Sequence, residues 1–96
     1  YMSHQESQKL IRLIGTAKSV LTKHSWEVSA ERHFAQASEL RFKRRAPAEV
    51  RTIWFVPVDD RVVLCDGIAI PALADKLGDS FKRLYTNVRI QTRVTP

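Results

Sequence analysis

Cysteine is nearly absent from this chain. Cys65 stands alone among 96 residues, so no internal disulfide can form and no thiolate cluster can hold zinc. The three histidines, His4, His24 and His33, show no ligand spacing, and no metal or other cofactor is expected. Glycine is as scarce: Gly15, Gly67 and Gly78 are too scattered to build a phosphate-cradling loop. No apolar run approaches the roughly 20 residues that span a bilayer, so no membrane partner is expected. The opening Met2-Ser3-His4-Gln5-Glu6 lacks the basic and apolar regions of an export signal, and Met2 reads as the initiator with Tyr1 ahead of it. A lone thiol without an export signal points to the cytoplasm of a bacterium or of a phage or plasmid host.

What is present is ordinary globular material, 44% hydrophobic and 27% charged, enough for one domain over residues 1–96. Its net charge of +6 and pI near 10.0 favour an anionic partner, because a basic surface gains free energy by releasing counterions from nucleic acid. The cations are unevenly placed. Segment 57–80 holds Asp59, Asp60, Asp66, Asp75 and Asp79 against Arg61 and Lys76, whereas 81–96 holds Lys82, Arg83, Arg89 and Arg93 with no acid.

Residues 5–23 place Leu10, Ile11, Leu13, Ile14, Ala17, Val20 and Leu21 on one stripe of a helix, with Lys9, Arg12, Thr16, Ser19 and Lys23 opposite. Residues 24–37 fit two patterns. Trp26, Ala30, His33, Phe34 and Ala37 share a face if helical, making a hairpin with the first helix and Ser25 or Ser29 as N-cap; a loop with one helical turn fits as well. From Ser38 the period becomes two, and Leu40 and Phe42 alternate with Glu39, Arg41 and Lys43, a half-buried strand with Arg45 continuing its outward face. Ala46-Pro47-Ala48-Glu49 reads as a turn. Residues 51–58, apolar on both sides, predict a central strand ending near Pro57. Asp59-Asp60 turns the chain, Arg61–Cys65 returns antiparallel, and Gly67 and Pro71 bracket a loop. Residues 71–84 predict a helix carrying Leu73, Leu77, Phe81 and Leu84, and 88–94 a last strand. The expected class is α+β: an N-terminal helix, alone or as a hairpin, a three-stranded antiparallel meander, a helix and a C-terminal strand.

The run Arg41-Phe42-Lys43-Arg44-Arg45 is the densest cationic stretch. With Arg51, Lys82, Arg83, Arg89 and Arg93 it supplies the candidate nucleic-acid contacts. Solvated cations that discourage edge pairing explain Arg41, Lys43 and Arg51 equally well. Cys65 follows Val62-Val63-Leu64 and fits a core better than a nucleophile; His33 fits a packed or surface histidine better than a general base. Ala74 and Gly78 have the spacing of a helix-turn-helix over 71–88, although Asp79 falls where that turn buries an apolar residue.

From Glu39 to Gly67, the succession ELRFK, RTIWF and DDRVVLCDG resembles the central meander of the RelE/ParE/HigB superfamily of bacterial toxin–antitoxin toxins. The resemblance implies a metal-independent, ribosome-dependent mRNA endonuclease, with Arg41, Lys43 and Arg51 as the matching catalytic cations. Guanidinium groups fixed on one surface would stabilise the charge of the phosphorane. The chain departs from the pattern after the meander, where Asp66-Gly67-Ile68-Ala69-Ile70-Pro71 supplies none of the further cations, and before it, where the first strand is short or missing. Three functions therefore stand: an RNA- or ribosome-binding protein of toxin type, a non-enzymatic phage or plasmid module gripping an acidic host protein, and a small DNA-binding regulator.

Overall fold

The structure, a computed structural model, describes the backbone from 4 to 94 and the side chains from 7 to 84. Among the described residues the order is helix α1 (His4–Lys23), strands β1 (Glu27–His33), β2 (Ser38–Arg45), β3 (Ala48–Val58) and β4 (Arg61–Ala69), a single 3-10 turn (Pro71–Leu73) and helix α2 (Ala74–Val94). The strands form one antiparallel meander in the order β1-β2-β3-β4. The fold is α+β, with the expected N-terminal helix, meander and following helix.

The α1 stripe is narrower than its sequence suggests. Leu10, Ile14 and Leu21 are buried, while Ile11 and Val20 are 68% and 48% exposed. The helix touches a flat sheet along one line, so only residues three, four and seven apart reach it. With Trp26, Leu40, Phe42, Ile53 and Phe55 they form one core cluster, each buried aliphatic contributing about 1.5–3 kcal/mol. Ala37, Trp54, Val56 and Phe81 form a second cluster on the other side of the sheet, joined by Leu77 and Cys65. β3 is thus covered on both faces, as its two-sided apolar sequence requires.

Residues 24–37 correct both expectations, being neither a helix nor a mere loop. Ser25 adopts φ 70°, and Trp26 N–H bonds back to Leu21 O at 3.1 Å, which closes α1 with a left-handed residue and a Trp26–Leu21 contact. β1 then runs along the edge of the sheet with nearly every residue exposed, a strand without the apolar alternation that would reveal it. Ser29 marks its register shift, between Val28 and Ala30.

Three further expectations change. The β2–β3 turn is two residues, cis Ala46-Pro47, with Arg45 paired to Ala48. β4 continues through Gly67 to Ala69; the glycine there serves close helix packing, since a Cβ would lie 3.0 Å from Phe81 Cζ and 3.2 Å from Leu77 Cδ1. The expected strand at 88–94 is instead the second half of α2, one unbroken helix from Ala74 to Val94. Its period-two pattern lost to continuation of a helix already nucleated and packed through Ala74 and Phe81. The same continuity removes the helix-turn-helix over 71–88. No helix among the described residues is long and apolar enough to cross a membrane.

Candidate nucleic-acid interface

A two-residue hairpin pairs odd positions with even ones, so Arg41 faces Thr52 and Arg51 faces Phe42. Side chains alternate along each strand. Arg41 and Lys43 therefore lie on the α2 side of the sheet and Arg51 on the α1 side. The expected convergence of Arg41, Lys43 and Arg51 does not occur.

Each arginine taken to the α1 side has a local task. Arg51 donates to Asp66 through Nε at 2.9 Å and Nη2 at 2.6 Å, and this bond holds its pKa above the ordinary arginine value. Arg44 donates to Glu49 at 2.8 Å and lies 4.4 Å over the Trp26 ring, a cation–π contact that shields the end of the core.

On the α2 side, Arg41 is a clasp rather than an open cation. Its Nε lies 3.1 Å from Glu39 and its Nη1 donates to Asp75 at 3.0 Å, tying β2 to the first turn of α2. The helix admits the guanidinium because residue 78 is glycine: a Cβ there would sit 2.8 Å from Arg41 Nη2. Glu39, expected to face solvent, is 1% exposed. It accepts from Arg32 Nε at 2.9 Å and from Arg32 Nη2, and from Trp54 Nε1 at 2.8 Å, so its buried charge is paired and hydrogen-bonded as it must be. Phe34 stacks on Trp54 with parallel rings 5.4 Å apart.

Arg32, Phe34, Glu39, Arg41 and Trp54 from the sheet, with Gly78, Asp79 and Lys82 from α2, line a pocket of about 280 Å³. Beyond it, Lys43 and Arg45 extend along the same face, both exposed and without an ion-pair partner among the described residues. α2 packs on β3 and β4 and reaches β2 at Glu39 and Arg41, which leaves the Lys43 and Arg45 end of this face open. Lys82 is thus brought to the sheet beside Arg41. Arg83 is exposed on α2, and the side chains of Arg89 and Arg93 lie outside the described residues.

Sequence reading missed Arg32, Phe34, Glu39, Trp54 and Asp79 as a group. One signal was available: Trp54 lies between Ile53 and Phe55 in the strand expected to be central, and a buried indole N–H needs an acceptor from a neighbouring element.

Two other arrangements carry no chemistry. His33 Nδ1 lies 2.8 Å from Ser38 Oγ and its Nε2 lies 2.8 Å from Glu31, the connectivity of a nucleophile, base and acid. Ser38, however, is only 4% exposed and Glu31 is already paired with Lys18, so the group ties β1 to β2 and to α1. Burial pushes the Cys65 thiol up, away from the nucleophilic thiolate. Among the described residues no group of three or more histidine, cysteine or acidic side chains is placed to hold a metal ion. No protein-family model, curated protein or solved structure matches the chain.

Proposed function

We propose that the chain binds single-stranded nucleic acid, RNA above all, along the open face of β1 and β2, without cleaving it. The observation that carries this reading is the pair Lys43 and Arg45, exposed on one side of β2 and leading past Arg41 into a pocket with an exposed aromatic. Alternate strand residues are about 6.6 Å apart, comparable to successive phosphates of an extended single strand. A duplex would instead call for a helix or ribbon shaped to a groove. Stacking aromatics beside a basic track are the recurring means of holding unpaired strands. Glu27, opposite Lys43 in the β1–β2 register, is the acid that tempers this surface.

The toxin resemblance remains a proposal for ancestry and for the ribosome as the source of RNA. Its catalytic part loses support because Arg51 lies across the sheet from Arg41 and Lys43 and is engaged by Asp66. The test is fluorescence anisotropy of labelled single-stranded RNA across a salt series. Lys43→Ala/Arg45→Ala should weaken binding and flatten the log K against log salt slope by about 1.4, two phosphates at about 0.7 each. An unchanged slope would remove the reading.

A second reading, a protein-gripping module, is favoured by one observation: a groove of about 280 Å³ between α1 and β4, lined by Leu13, Ala17, Val20, Ile53, Phe55 and Leu64. Leu64→Asp should then abolish a stoichiometric protein complex that survives nuclease, while RNA affinity stays unchanged.

A further inference from the structure

Resting on the reading that this face binds single-stranded RNA, we infer that the pocket between β2 and α2 seats one nucleobase and selects guanine. Phe34 is 51% exposed while stacked on the buried Trp54. Trp54 is held by its bond to Glu39. A base laid on Phe34 extends a stack already formed, so the platform needs no reordering. The pocket volume, about 280 Å³, is close to the roughly 300 Å³ at which small-ligand sites begin, which suits one base and not a duplex.

The choice of base follows from the acids in the pocket. Glu39 is consumed by Arg32, Arg41 and Trp54. Asp79 is exposed, and its carboxylate has no hydrogen bond or ion pair among the described residues. An ionised carboxylate only accepts, through two oxygens side by side. Guanine presents two adjacent donors, N1–H and the exocyclic amino group, on one edge. Adenine and cytosine present an amino donor beside a ring acceptor that a carboxylate repels, and uracil places a single N–H between two carbonyls. Arg32 and Lys82 line the same pocket and suit the phosphate of the bound nucleotide, with Lys43 and Arg45 holding those that follow.

Anisotropy with the full chain and two labelled RNAs, all-uridine and the same strand with one guanosine, tests the inference. The guanosine strand should bind about tenfold tighter. Asp79→Asn should erase that difference, with the all-uridine strand bound no more weakly than by the parent chain because one negative charge is gone, and Phe34→Ala should weaken both strands at least fivefold through lost stacking. Equal affinity for the two strands, or a preference that survives Asp79→Asn, overturns the guanine pocket; if salt-dependent binding persists in that case, the interface reading stands. Absence of salt-dependent binding to either strand overturns both.

Discussion

Glu39 is the residue on which the candidate site depends. It is a carboxylate buried to 1% exposure, satisfied by two arginines and an indole. Removing one partner of a buried charge network leaves the others uncompensated, so Glu39→Ala should cost about 3–5 kcal/mol, read as a lower urea midpoint. Arg41→Ala would disturb the same network, and Lys43 and Arg45 are therefore the sounder probes of binding. Two residues should behave oppositely. Gly15 sits in α1 with nothing within 4 Å of the position a Cβ would take, so Gly15→Ala should stabilise by about 0.5–1 kcal/mol. Ser25 holds φ 70°, a conformation that costs a side-chain-bearing residue about 1 kcal/mol or more, and Ser25→Gly should recover part of that in urea denaturation. The positive φ at Ser25 could not be read in advance, because serine gives no signal of it where glycine would.

Among the elements, legibility followed how much apolar surface each one buries. α1, β2 and β3 were readable because Leu10 and Ile14, Leu40 and Phe42, and Ile53 to Val56 mark their faces. β1 was not, since an edge strand with both faces wet shows no alternation. The 88–94 segment alternated as a strand does and yet continues α2. Gly67 is where β4 meets that helix, and Gly67→Ala should cost about 1–3 kcal/mol by overpacking against Phe81 and Leu77. α1 is tied to β1 by Lys18 and Glu31, with His33 on the same carboxylate. The Lys18 bond, then that from His33, holds the Glu31 carboxyl below its usual value. A lowered folded pKa means that the stabilisation is complete above the ordinary glutamate value of about 4.3 and is lost as pH falls through the lower folded one. Glu31→Gln should therefore show a shallower loss of stability than the parent chain on acidification below about pH 4.5, by circular dichroism.

At the scale of the molecule, the two helices lie on opposite faces of one sheet and cover it unequally. α2 sits over β3 and β4, and its offset is what leaves a basic face open beside β2. Sequence by itself established the class, basic and α+β with no internal disulfide, because net charge, one cysteine and the period of apolar residues do not depend on how strands pair. It also fixed that Arg41, Lys43 and Arg45 share a side, since alternation is local. Arg51 was within reach of the same reasoning: any hairpin with an even number of loop residues sends two odd positions to opposite faces, and the four-residue turn first expected would have done so too. Tertiary structure alone decided that Glu39 is buried, that Arg41 closes on Asp75 across Gly78, and that Phe34, Trp54 and Lys82 meet. Those contacts join residues up to 48 positions apart (Phe34 and Lys82 line one pocket), and only the packing of a helix onto a sheet sets which side chains face one another at that range.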